Sequence, residues 1–233
     1  MVTAPTANGF AETSPEPDLP TLRVDGAAPL TTETVAALRA LCDRVEDRGD
    51  RLVLLHVSGA PGPGWADDLT VALVSRWERE LRRLECLPAT SVAVAHDDCG
   101  GAALDALLAT DHRIAAGPAR LVLPLVTGVT WPGMAVYRLT QQCADRSAVR
   151  RAVLHGTPLD TATALAGHLL DEVTDDVPAA LAAAAARAAG LPGAELAVRR
   201  RLLFEAATAG FDEALGVHLA ACDRMLRRRE EAS

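Results

Sequence analysis

Two short runs, Arg51-Leu-Val-Leu-Leu-His-Val57 and Ser91-Val-Ala-Val-Ala95, constrain this chain most. A strand with one wet face alternates polar and apolar residues, whereas a nearly continuous apolar run suits a strand covered on both faces. Between them lies a segment of helical period. Leu69, Leu73, Val74, Trp77, Leu81 and Leu84 make one apolar face, and Arg76, Glu78, Arg79, Glu80, Arg82 and Arg83 make the wet one. Strand, helix and strand in that order predict an α/β class with a buried sheet.

The flanking segments extend the alternation. Residues 1–20 are rich in Pro, Thr, Ser and Glu without periodicity, and a disordered tail is expected there. Order is expected to start with a strand at 22–24, turn at Asp25-Gly26, and enter a helix capped by Thr31 or Thr32. That helix carries Val35, Leu38, Leu41 and Val45 at three-to-four spacing and closes at Gly49. After Val57, three glycines and two prolines in residues 58–64 enforce an irregular loop, and Asp67-Asp68 is read as opening the amphipathic helix, where acidic residues suit the dipole. The second apolar run leads through His96-Asp-Asp-Cys-Gly-Gly101 into a small helix over 102–109. Strands follow at 113–115 and 121–123, then a glycine-proline loop over 128–133. Helices are expected at 135–142, 147–154, 161–166, 178–189, 194–209 and 212–229, giving a core over 21–190 and a helical C-terminal region over 191–233.

Composition narrows the function. With 233 residues, 49% hydrophobic, the chain has enough for one buried core and too little for two full-sized domains. A net charge of -8 and an aromatic set of three Trp, three Phe and one Tyr argue against nucleic-acid binding, which needs a basic surface and stacking platforms. The chain has no lysine, so all 23 basic residues are arginine. That excludes a Schiff base, a phosphate-loop lysine and a lysine base; codon bias of a GC-rich genome accounts for the arginine. Five cysteines, an odd number without a C-x-x-C pair or a preceding secretory signal, are expected to be reduced thiols in a cytoplasmic protein, and no uncharged run is long enough for a membrane span.

The segment 91–109 carries the most chemical information. Glycines directly before a helix admit another group to first-turn amides that have no intrahelical partner, which suits an anion or oxyanion. The pattern is not G-x-G-x-x-G, and taken alone two glycines before a helix more often mark plain close packing. His96, Asp97 and Asp98 invite a metal reading, but adjacent side chains diverge and no second His or Cys lies at ligand spacing, so hydrogen bonds within the loop are expected instead. The remaining histidines are scattered and make no triad by spacing. Arg199-Arg-Arg201 reads as a solvated helix face, with contact to phosphates across a subunit boundary as the alternative.

The run Gly101-Ala-Ala-Leu-Asp-Ala-Leu-Leu-Ala-Thr-Asp-His-Arg-Ile-Ala-Ala116 resembles the G-G-G-x-E-L-A-x-x-C-D-x-R-I-A stretch of the crotonase (enoyl-CoA hydratase/isomerase) superfamily. Residues 123–133 are similar to the family's F-x-x-P-E-x-x-x-G-x-x-P-G, and residues 154–173 to its L-x-T-G-x-x-I-x-A-x-E-A-x-x-x-G-L-V-x-x-V, in the same order over about 22–229. The resemblance implies a spiral of ββα units, C-terminal helices packing between subunits of a trimer or dimer of trimers, and an acyl-CoA thioester substrate with no other cofactor. It also implies an oxyanion hole of two backbone amides, here those of Trp65 and Ala102. At the family's two glutamate positions stand Asp105, one methylene shorter, and Leu125, which transfers no proton. Gly101, Leu125 and Trp131 are expected to line the substrate pocket.

Asp105 is therefore either the one proton-transfer residue or a helix-turn aspartate. The short length and degraded glutamate pair are similar to the small crotonase-like proteins of 3,5-dihydroxyphenylglycine biosynthesis, which work beside a type III polyketide synthase. That likeness implies dehydration and aromatisation of a polyketide thioester. The alternative is a non-catalytic subunit that binds or stabilises the synthase or a sister crotonase.

Overall fold

The computed structural model describes residues 19–206 and 209–231; positions 1–18 of the expected tail lie outside the described residues. The chain begins β1 (Thr21–Asp25), α1 (Thr32–Arg48), β2 (Leu52–Gly59), α2 (Val71–Cys86), β3 (Thr90–Gly100), α3 (Gly101–Leu108) and β4 (His112–Ala115). Three short strands follow, β5 (Arg120–Val122), β6 (Leu125–Val126) and β7 (Val129–Thr130), then α4 (Met134–Gln142) and α5 (Arg146–His155). The chain continues through β8 (Leu159–Asp160), α6 (Thr161–Ala166), β9 (Glu172–Val173), α7 (Val177–Ala189), α8 (Gly193–Ala206) and α9 (Phe211–Glu231). This is the expected α/β class with a helical C-terminal segment.

The apolar runs become the middle of the main sheet, whose parallel order is β1-β2-β3-β4-β9. Alternation along them sends Val53, Leu55, Val57, Ala93 and Ala95 into the main core with Leu38 of α1, Trp77 and Leu81 of α2 and Leu104 of α3. The other face, Leu54, Val92, Val94 and Ile114, is covered by Ala180 and Ala184 of α7. Each large side chain buried this way contributes about 1.5–3 kcal/mol. A polar substitution on either face therefore has no wet side to occupy.

Local signals set most boundaries. Thr31 is the cap of α1, its side chain accepting from the Thr34 N–H, and Gly49 ends the helix in the left-handed region at φ 66°. At α2 the expectation fails: Asp67 and Asp68 lie in a turn, and the helix starts at Val71 behind Thr70, whose hydroxyl accepts from the Leu73 N–H at 3.2 Å. A threonine at the true N-cap position outcompetes acidic residues upstream. The expected loop over 128–133 is partly a hairpin, β6 with β7, turned by Thr127 and Gly128, both at positive φ.

The second apolar strand is also longer than its apolar run. β3 continues through His96 to Gly100 because it changes partners: after Val57 pairs Ala95 the register shifts, Gly59 pairs Cys99, and Cys99 and Gly100 pair Leu121 and Val122 of β5. Such a shift bends the strand and carries it out of the main sheet. β8 then adds antiparallel to β5. Gly26, at the end of β1, is required where these pieces meet. A Cβ there would fall 2.1 Å from the Gly100 carbonyl and 2.4 Å from that of Gly59.

Arg200 corrects the reading of Arg199-Arg-Arg201 as a solvated face. It is 6% exposed and donates to Asp111 Oδ1 at 2.9 Å, to the Ala89 carbonyl at 2.8 Å and to the Leu87 carbonyl, pinning α8 to the start of β3. Arg199 and Arg201 stay exposed, the latter paired with Glu205 at 2.7 Å. All five cysteines are free thiols, and burial pushes Cys42 and Cys99 up to about 12. Among the described residues no helix is long and apolar enough to cross a membrane.

Candidate active site

The cleft that collects the chemistry opens where α3 begins. Gly100 caps α3 without a side-chain hydrogen bond, so the first-turn N–H groups of Gly101, Ala102 and Ala103 have no partner within the helix and carry the positive end of its dipole. Gly101 adopts φ 51°, and a Cβ on it would lie 2.7 Å from Pro61 Cγ. The glycine pair thus serves both readings made from the sequence: it allows the close packing of the loop after β2, and it leaves the amides uncovered.

Trp65, Gly101, Ala102, Asp105 and Trp131, five of the six residues singled out from the sequence, line this one cleft. Trp65 and Trp131 meet edge to face, ring centroids 5.6 Å apart at 88°. The Trp65 indole N–H donates to the Leu125 carbonyl at 3.2 Å, latching the β6–β7 hairpin over the loop that carries Trp65. Leu125 contributes that carbonyl; its side chain, 48% exposed, stands against Gly156 at the end of α5, and Leu123 and Pro124 line the cleft in that stretch.

Asp105 sits one turn into α3, where its carboxylate accepts from the Trp77 indole N–H at 3.3 Å. Burial, and then the charge of Glu78, push its carboxyl up to about 7, against the pull of Arg138 and the Trp77 N–H. A carboxyl that changes protonation near neutral pH suits general acid–base work.

Two residues here escaped the sequence reading. Glu78, assigned to the wet face of α2, lies in the cleft wall beside Trp77, and burial raises its carboxyl. Arg138 of α4, buried at 5% exposure, lies 2.9 Å from Glu78 Oε2 and donates to Glu85 Oε1 at 2.8 Å. A signal was present in the sequence, since Arg138 shares a helical face with Ala135 and Leu139, both buried. An arginine on an apolar face requires acidic partners.

The other candidates lie elsewhere. His96 Nε2 faces His56 Nδ1 at 2.7 Å across the β2–β3 pair, and neither lines the cleft. Burial depresses both rings, His56 to about 4, so the pair is neutral at pH 7 and one ring donates to the other. Asp98 accepts from Arg120 at 2.9 Å. Among the described residues no group of three or more His, Cys, Asp or Glu could hold a metal ion. The motif residues Asp111 and Arg113 are structural. Asp111 accepts from the Ser91 N–H at 2.7 Å and from Arg200, while Arg113 donates to the Leu108 and Thr110 carbonyls at the end of α3.

No protein-family model matches the chain. It is 55% identical over 208 residues to an enoyl-CoA hydratase of Amycolatopsis orientalis, covering 89% of this chain and 95% of that one. Its fold is similar to that of an enoyl-CoA hydratase/isomerase from Marinobacter aquaeolei, with a TM-score of 0.75 at 18% identity over 91% of this chain and 90% of that one. It is also similar to an enoyl-CoA hydratase from Mycobacterium smegmatis, with a TM-score of 0.73 at 18% identity over 88% and 86%. The extent of the first likeness, on a fold shared with the other two, means that the chain belongs to the crotonase (enoyl-CoA hydratase/isomerase) superfamily.

Proposed function

We propose that the chain binds an acyl-CoA thioester and moves a proton beside its carbonyl, as a lyase of the dehydrating type, with coenzyme A entering only as part of the substrate. The observation that carries this reading is the Asp105 carboxyl, enclosed against Trp77 at the uncovered start of α3 and titrating near neutrality. The N–H groups of Trp65 and Ala102 stabilise the enolate oxygen as charge develops there. Asp105 takes the proton from the carbon beside the carbonyl; the C–O bond at the next carbon then breaks, and the leaving hydroxyl takes up that proton and departs as water.

The substrate we infer is a cyclised polyketide thioester, aromatised to 3,5-dihydroxyphenylacetyl-CoA beside a type III polyketide synthase. The short chain and the leucine at 125 support it, since Leu125 argues against a two-glutamate hydration of the housekeeping kind. Leu203, Phe211, Leu219 and Leu226, exposed along α8 and α9, support assembly into a homotrimer or dimer of trimers. A cytoplasmic location fits the free thiols. A second reading, a subunit that holds the synthase or a sister crotonase without catalysis, is favoured by the missing carboxylate at 125 and by the Trp65–Trp131 pair at the cleft.

The test is product formation by a type III synthase from malonyl-CoA, with the wild-type chain, with Asp105→Asn and with neither, read by mass spectrometry of the released acids. Aromatic product raised by the wild type and not by a folded Asn variant establishes proton transfer at Asp105. Equal stimulation by both leaves the binding-subunit reading in place.

A further inference from the structure

We propose that Glu78 is the second carboxylate of the cleft, taking with Asp105 the acid and base roles that the chain leaves unfilled at Leu125. The inference rests on the proton-transfer reading above and deepens it.

Geometry carries the assignment. Glu78 follows Trp77 on α2; Trp77 donates to Asp105, and Glu78 and Asp105 line the same cleft. The two carboxylates come from different helices, held at the cleft by packing of α2 and α3 on the same sheet. Glu78 keeps 17% of its side-chain surface accessible, so it is enclosed but not sealed from a ligand. On its other side stands Arg138, 2.9 Å from one carboxylate oxygen.

The charges around the pair also fit. Glu85 lies between two arginines, Arg82 at 3.0 Å and Arg138 at 2.8 Å. Glu78 has Arg138, while among the described residues Asp105 has the neutral Trp77 N–H within hydrogen-bond reach. With both arginines charged and Glu78 and Glu85 ionised, the cluster is neutral when Asp105 holds a proton. Ionising Asp105 adds a third negative charge to the cluster, and burial with the Glu78 charge outweighs the pull of Arg138, so the pair Glu78–Asp105 retains one proton between them. The raised carboxyls of both residues agree with that sharing.

A pair holding one proton is balanced for dehydration. With the shared proton on Glu78, the ionised member, Asp105, takes the proton from the carbon beside the thioester carbonyl. The C–O bond at the next carbon breaks, a C=C bond forms, and the protonated member, Glu78, gives its proton to the departing hydroxyl, which leaves as water. The pair still holds one proton, now on Asp105, and transfer back to Glu78 restores the starting state. No oxidant, reductant or metal takes part. Proton exchange without loss of water needs only one carboxylate, and Asp105 performs it alone when Glu78 is neutralised.

Two measurements on wild type, Glu78→Gln, Glu78→Asp and Asp105→Asn separate these roles. One is incorporation of solvent deuterium beside the carbonyl of 3,5-dihydroxyphenylacetyl-CoA; the other is aromatic product in the synthase-coupled reaction. Glu78→Gln is expected to lower product at least 10-fold while keeping deuterium exchange within about 3-fold of wild type, the usual scale for losing one acid–base group being 10²–10⁴. Glu78→Asp is expected to recover part of the product, and Asp105→Asn to lose both signals. Product unchanged in Glu78→Gln overturns the proposal, leaving Glu78 as a structural partner of Arg138. Loss of exchange and product together in Glu78→Gln, not recovered by Glu78→Asp, overturns it too, because the variant then acts through the shape of the cleft. Neither signal in the wild type overturns the proton-transfer reading itself, and the proposal with it.

Discussion

The two ends of α3 bury charge in opposite ways. At its C-terminal end the charged groups are answered: Arg113 donates to the Leu108 and Thr110 carbonyls, and Asp111 accepts from Ser91 and Arg200. At the N-terminal end the helix amides are uncapped by any side chain, and Asp105 is answered by one indole N–H. Eight residues of a largely apolar helix therefore join a knot of paired charges to a cleft where the helix start has no side-chain cap. The same motif run, 101–116, serves architecture in its second half and lines the cleft with its first.

The sharpest way to break the contrast is at the satisfied end. Arg200→Met strands Asp111 and the carbonyls of Leu87 and Ala89, and breaking a buried pair by removing one partner costs about 3–5 kcal/mol. Urea unfolding should show an unfolding free energy lowered by that amount, with α8 released; a loss below about 1 kcal/mol would mean the knot is not the fastening it is taken to be.

The unsatisfied end predicts the opposite sign. The native carboxyl of Asp105 sits above its unfolded value of about 3.9, so the folded chain holds a proton that the unfolded chain releases. Stability from this group is accordingly lost as pH rises from about 4 to about 7 and is level beyond. Asp105→Asn should remove that decline and raise stability at pH 8, by less than Arg200→Met costs, because water reaching the cleft moderates the desolvation. Urea midpoints of both proteins at pH 5 and pH 8 measure it; parallel declines in the two would exclude Asp105 as the source.

The smallest effect calibrates the largest. Arg201 is the chain neighbour of Arg200 but is exposed, pairing among the described residues with Glu205 one turn on. Arg201→Ala should change stability by under about 0.5 kcal/mol. A larger cost, found by the same urea titration, would place the fastening in the arginine cluster as a whole rather than in Arg200.

Those neighbours show where sequence stops being legible. Nothing in Arg199-Arg-Arg201 distinguishes the middle residue, because α8 has no pronounced apolar face and burial there is set by which side meets β3. Glu78 poses the same problem: by spacing it belongs to the wet stripe of α2, and only Arg138, sixty residues on, turns it inward. The start of α2 and the extension of β3 were missed for local and tertiary reasons respectively, a threonine cap in one and a change of strand partner in the other.

The sequence by itself determined the buried parallel sheet, because a strand apolar at nearly every position has no wet face to offer. It determined the glycine-led start of α3, because at 101 glycine suits the left-handed backbone angle and leaves room for the approach of Pro61. It also placed Asp105, which lies on that helix at a fixed distance along the chain. The tertiary structure alone decided which charges became buried, since pairing Glu78 with Arg138 and Asp111 with Arg200 joins residues far apart in the chain. Side-chain burial depends on the surface that packs against each residue, and that surface exists only once the helices have docked.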